Sequence, residues 1–118
     1  MINTAAEFDV KEVVIGMAHR GRLNVLANIM GKTYEEIFSE FEGTTDPDLT
    51  FGDGDVKYHL GYSSSITTPN KKDVYVKLTP NPSHFEAVDP LVLGYVRGQI
   101  DDEYNGDLKK AVSVLIHC

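Results

Sequence analysis

Short apolar runs alternate along the chain with polar stretches punctuated by glycine and proline, and their spacing predicts a succession of strands and helices. Ile2, Ala5, Ala6 and Phe8 carry the spacing of the closing turns of a helix over residues 2–9. The β-branched run Val13-Val14-Ile15, after Lys11-Glu12, has the length and composition of a buried strand. Leu23, Leu26, Ala27 and Met30 then recur at helical spacing, with Gly31 as the stop. Thr33-Tyr34-Glu35-Glu36 is a capping box, with Thr33 as N-cap and Glu36 at the third helical position. The helix it opens has an apolar face of Tyr34, Ile37, Phe38 and Phe41, suited to packing on a sheet or a partner surface rather than to holding a cofactor.

Val74, Val76 and Leu78 alternate with Tyr75, Lys77 and Thr79 as the two faces of a strand do. Asp89-Pro90 predicts another helix, with Asp89 as N-cap and Pro90 at the first helical position. Its apolar face is Val88, Leu91, Val92, Tyr95, Val96 and Ile100, and Gly94 and Gly98 leave room for close packing against a neighbour. The helix ends in the acidic loop 101–107, and Ala111, Val112, Val114, Leu115 and Ile116 predict a last buried strand that stops at His117-Cys118. The layout is α/β, and the expected core is a mainly parallel sheet flanked by helices. A chain that opens on the end of a helix, and stops where a strand should hand over to its ligand loop, reads as one entered in the middle.

Composition narrows this picture. At 118 residues and 42% hydrophobic, the chain supports one domain with one core. Cys118 is the single cysteine, which excludes an intrachain disulfide and a cysteine-based zinc site. No apolar run approaches the roughly 20 residues needed to span a bilayer, and no basic-then-apolar leader opens the chain. Eleven Lys and Arg against 18 Asp and Glu give a formal net charge of −7, which argues against nucleic acid or an anionic membrane as partner.

Against that acidic background, Gly16-Met17-Ala18-His19-Arg20-Gly21-Arg22-Leu23-Asn24 gathers two arginines and a histidine between a predicted strand and a predicted helix. In open α/β sheets, ligands bind beyond the carboxyl ends of strands, and Arg20 and Arg22 offer forked donors suited to carboxylate or phosphate. A small anionic ligand fits this turn; so does the plainer alternative of arginines solvated in a first helical turn. Two other stretches carry candidate groups. His59 lies in Gly54-Asp55-Val56-Lys57-Tyr58-His59-Leu60-Gly61, flanked by glycines that permit close approach, where a histidine can titrate near neutral pH or simply face solvent. Pro80-Asn81-Pro82-Ser83-His84-Phe85-Glu86 displays Asn81, Ser83 and His84 on a turn stiffened by two prolines. The acidic run 43–55 lacks the EF-hand spacing, so a solvated loop is expected there rather than a calcium site. No two of His19, His59, His84 and His117 have the i, i+4 spacing of a helical metal motif.

Taken together, Gly16–Leu26, Gly54–Gly61 and Asn81–Glu86 resemble, in sequence and in order, the thiamine-diphosphate-dependent decarboxylating component of the 2-oxoglutarate dehydrogenase complex. The resemblance runs from about Ala5 to His117 and corresponds to a small internal part of that enzyme. It implies that residues 1–118 are a partial, truncated diphosphate-binding domain of a thiamine-diphosphate-binding fold. The implied activity is oxidative decarboxylation of 2-oxoglutarate in the citric acid cycle, with succinyl transfer to the lipoyl group of a dihydrolipoyl succinyltransferase. Arg20 matches the arginine that reaches cofactor and substrate. His19 matches a histidine that recognises the distal carboxylate, and His59 a second active-site histidine near the oxo group. Ser83 and Phe85 match positions lining the cofactor; the family usually has leucine at the latter, and a contact through the backbone carbonyl would tolerate phenylalanine.

The family continues past His117 as Gly-Asp-Ala-Ala, whose aspartate holds the magnesium ion on the diphosphate. Here Cys118 replaces that glycine, so the Mg2+ ligands are expected beyond it. The 118 residues alone are accordingly expected to be inactive, although the family's enzymes are homodimers of the bacterial cytoplasm or mitochondrial matrix. Both 2-oxoglutarate and 2-oxoadipate carry the second carboxylate such a site would read. The reading of a different class is a free-standing, non-catalytic anion-binding or interaction module that uses the same cationic turn.

Overall fold

The structure, a computed structural model, describes residues 1–42, 59–80, 84–111, 113, 114 and 116; the side chain of Phe85 lies outside the description. Its elements are α1 (Ile2–Glu7), β1 (Glu12–Ile15), α2 (Arg22–Asn28), α3 (Tyr34–Glu42), β2 (Tyr62–Thr67), β3 (Asp73–Leu78) and α4 (Phe85–Tyr104). The first helix, the Val13–Ile15 strand, the helix ending near Met30 and the Val74–Leu78 strand all fall where the apolar spacing places them. The capping box forms as well: Glu36 N–H donates to Thr33 Oγ1 at 3.2 Å, and Thr33 N–H donates to Glu36 Oε2 at 2.8 Å. These bonds, the backbone donor foremost, hold the Glu36 carboxyl below the usual glutamate range.

The sheet is mixed rather than mainly parallel. In the order β1-β3-β2, β1 runs parallel to β3 with Ile15 opposite Leu78, and β2 runs antiparallel to β3 with Tyr62 also opposite Leu78. The spacing of apolar residues gives no warning of β2, because its covered face is Tyr62, Ser64 and Ile66. Ser64 is tolerated there because its hydroxyl donates to the Met30 carbonyl at 2.9 Å. The strand is formed by its hairpin with β3, where Thr68 N–H donates to the Lys72 carbonyl at 2.9 Å and Thr68 Oγ1 donates to the same oxygen at 2.9 Å.

One face of β3 carries the core: Val74, Val76 and Leu78 pack with Ala6 of α1, Leu26 and Met30 at α2, and Ile37 of α3. Only Ile37 of the predicted α3 face is buried; Tyr34, Phe38 and Phe41 are exposed. On the opposite face Lys77 pairs with Glu12 at 2.7 Å and lies over the Tyr75 and Tyr95 rings. Burial works to lower the Lys77 pKa, but Glu12 and Tyr95 outweigh it and hold the ammonium above its ordinary value.

Four expectations about the second half of the chain are corrected. The helix α4 starts at Phe85, after an extended His84, so Asp89 and Pro90 lie inside it rather than at its cap. Pro90 cannot donate to the Glu86 carbonyl, and Glu86 is exposed, so water can serve that oxygen. The helix also continues through residues 101–104 and closes at Asn105-Gly106. At Gly94 and Gly98 a methyl group would meet nothing within 4 Å among the described residues, so neither mediates close packing there. That role falls to Gly16, where a methyl group would lie 2.3 Å from Val92 Cγ2 and 3.0 Å from Val88 Cγ2. Finally, among the described residues of 111–116 there is no strand, and Val114 and Ile116 are 82% and 58% exposed. An apolar run becomes a strand only where a neighbour takes its backbone hydrogen bonds, and no described strand pairs with it. No helix among the described residues is long and apolar enough to cross a membrane.

Candidate functional site

Because β1 and β3 are parallel and end in register, the turn 16–21 and the Thr79-Pro80 segment leave the sheet at the same edge. Because β2 is antiparallel to β3, it begins at that edge too, directly after His59 and Leu60. Residues 16–22, 59–61 and 79–80, the described parts of stretches tens of residues apart in sequence, therefore converge. The Thr79 N–H donates to the Ile15 carbonyl at 2.9 Å and ties the two parallel turns together at their roots.

Here the His19 and His59 rings face each other with centroids 6.4 Å apart and planes inclined at 53°. His19 and the adjacent Arg20 are exposed, and His59 is half-buried. Two of the three expected catalytic groups are thus in contact, and the third adjoins one of them. Ser83 and the Phe85 side chain lie outside the described residues, so what is placed is Phe85's position as the first residue of α4. The acidic run 43–55, His117 and Cys118 lie outside them as well.

The two arginines part company. Gly21 adopts φ +77°, a left-handed conformation a residue with a Cβ rarely takes, and the chain turns so that Arg20 stays exposed while Arg22 is completely buried. Its guanidinium is occupied: Nη2 donates to the Leu60 carbonyl at 2.9 Å and to the Thr79 carbonyl. Burial holds its pKa below the ordinary arginine value. The expectation that both arginines present donors to an anion is therefore corrected; Arg20 alone is presented. The sequence did carry a signal for this. Arg22, Leu26 and Met30 are spaced i, i+4, i+8, one stripe of a helix, and are 0%, 4% and 3% exposed. With seven residues, α2 is also too short to add much dipole, so the positive character of the edge rests on side chains.

Chemically, the edge carries an exposed guanidinium beside two imidazoles. Such a set fits carboxylate or phosphate oxygens. It does not fit magnesium, which requires oxygen ligands, and among the described residues no three His, Cys, Asp or Glu side chains are grouped to hold a metal. Two shallow hollows adjoin the edge, one near Lys32, Glu36 and Tyr62, the other between Lys77, Thr79 and Tyr95; neither is lined by His19, Arg20 or His59.

No family model matches the chain. It is similar to the multifunctional 2-oxoglutarate metabolism enzymes of Mycobacterium sp. strains JLS and KMS, each 53% identical over 116 residues. The corresponding enzyme of Mycolicibacterium vanbaalenii is 52% identical over 120 residues. In each case 98% of this chain is matched, against 9% or 10% of the relative, so the chain spans about a tenth of the length of the relatives it matches.

Proposed function

We propose, taking as premise that this chain is a homologue of one segment of the multifunctional 2-oxoglutarate metabolism enzymes, that it forms the cationic edge of a thiamine-diphosphate-dependent 2-oxoglutarate dehydrogenase. The observation that carries this reading is the convergence of His19, Arg20 and His59 at one strand edge of a strongly acidic chain. A local group of a guanidinium and two imidazoles in a molecule of net charge −7 suits a small, doubly anionic substrate rather than a polyanion.

In this reading His19 would donate to the distal carboxylate of 2-oxoglutarate, and Arg20 would reach both substrate and cofactor. His59, half-buried against His19, holds or passes a proton at the oxo group. Ser83 and the backbone of Phe85 line the cofactor. When bound, thiamine diphosphate supplies the electron sink for cleavage of the carbon–carbon bond beside the keto group. The described residues do not supply the Mg2+ ligands, and residues beyond Cys118 are proposed to do so. The succinyl group then passes to the lipoyl group of a dihydrolipoyl succinyltransferase, the enzyme acting as a homodimer in the bacterial cytoplasm. Alone, the 118 residues do not turn over.

The test places these 118 residues in the corresponding segment of a full-length mycobacterial relative and measures carbon dioxide release from 2-oxoglutarate and 2-oxoadipate. The chimera is expected to decarboxylate 2-oxoglutarate, and Arg20→Ala or His59→Ala to lower kcat/KM by about 100-fold or more, the usual cost of a lost transition-state donor or proton carrier. A folded, cofactor-binding chimera that releases no carbon dioxide, or one indifferent to both substitutions, overturns the reading.

A further inference from the structure

Arg22 is the largest completely buried side chain described, yet it has no carboxylate partner among the described residues. Its Nε and Nη1 are buried without a hydrogen-bond partner there. A buried cation in that condition is a poor source of stability, because desolvation is answered by two carbonyls alone. Those two carbonyls are not arbitrary. Leu60 directly follows His59, and Thr79 directly follows β3. The backbone N–H of Arg22 donates to a third stretch, the His19 carbonyl at 3.2 Å. One residue thus reaches all three segments of the cationic edge, from a helix anchored in the core through Leu26 and Met30.

We infer that Arg22 is a positioning residue: its buried guanidinium clasps the roots of the β2 and β3 turns and sets the His59 ring against His19. For what the edge binds, this rests on the function proposed above; the clasp itself does not. The forked guanidinium matters, because both donors leave one nitrogen, Nη2, at an angle that spans two carbonyls, whereas a lysine ammonium on its flexible stem lacks that fixed geometry.

The test is NMR on the 118-residue chain without ligand, so a failed decarboxylation assay leaves it standing and its own failure leaves that assay untouched. In the wild type, the Arg22 Nη2 protons are expected to exchange slowly with water and to show cross-relaxation to residues 60 and 79; fast exchange overturns the inference. In Arg22→Lys, the His59 ring signals and the His19–His59 cross-relaxation are expected to change while the Val74 and Val76 methyl signals stay in place. A folded Lys variant with unchanged His59 signals overturns the clasp, and one in which the core methyls shift as much as His59 reduces Arg22 to a structural role. Should Arg22→Lys unfold, the exchange measurement on the wild type decides alone.

Discussion

The two ends of the central strand are built on opposite principles. At its amino end, the β2–β3 hairpin answers its own polar groups. Lys72 pairs with Asp9 at 2.7 Å, Asn70 donates to Glu7 at 3.0 Å, and Thr67 donates to Asp73 at 2.7 Å. At its carboxyl end, His19, Arg20, Arg22 and His59 gather, and among the described residues neither arginine pairs with a carboxylate. Both ends are turns on the same sheet, and both carry cations. At one end Lys72 is paired with a carboxylate of the chain itself; at the other Arg22 is spent on backbone carbonyls and Arg20 stays exposed, with no carboxylate partner among the described residues. The buried Arg22 is no source of stability, since its desolvation is answered by two carbonyls and not by a carboxylate.

The largest expected effect strikes the support of the ligand end. Leu78 stands opposite both Ile15 and Tyr62 and is 2% exposed. Leu78→Ala should cost about 2–5 kcal/mol, as truncation of a buried leucine does, and urea unfolding measures it. Next comes Gly16→Ala, which drives a methyl group into Val92 and should cost about 1–3 kcal/mol by overpacking. Val92→Ala in the same chain should restore most of it, a coupling that a double-mutant cycle reads directly.

A smaller effect belongs to α3, where Thr33→Ala removes the cap at about 1 kcal/mol. Because Glu36 is held below the usual glutamate range, the stability it adds is complete at neutral pH and is lost as pH falls through that lowered value. The gap between wild type and Thr33→Ala in thermal midpoint should therefore narrow in acid. The smallest effect is at the hairpin: Lys72→Ala breaks an exposed ion pair and should cost less than about 1 kcal/mol, and less still at high salt.

The contrast also explains what could be read from the chain in advance. Elements whose signal is local were legible: the Val13–Ile15 strand, the Thr33–Glu36 box and the alternation of Val74, Val76 and Leu78. His19, Arg20 and His59 stand out in the sequence as residue types near glycines, the structure brings the two histidine rings together, and the family resemblance agrees with the named relatives. What depends on a distant neighbour was not legible. Ser63-Ser64-Ser65 becomes a strand through pairing with β3, and Ser64 sits on its covered face because the Met30 carbonyl receives it. Val114 and Ile116 look like a strand yet find no described neighbour. Asp89-Pro90 has the chemistry of a helix start, but α4 begins five residues earlier, at Phe85, and takes Pro90 into its interior, where the Glu86 carbonyl loses its helical donor and is left to water. Arg22 is the exception: its residue type suggests a ligand group, while its local spacing with Leu26 and Met30 already marks it as interior.

The most direct test of the account is a backbone and imidazole NMR titration of the 118-residue chain with 2-oxoglutarate and with pyrophosphate. Weak, saturable shifts are expected at residues 16–22, 59–61 and 79–84, diminished by added salt and absent in Arg20→Ala, with the Thr67–Asp73 hairpin left unmoved. Equal shifts at Lys71 and Lys72, or shifts at the hairpin alone, would contradict it, since the two ends of the sheet would then treat an anion alike.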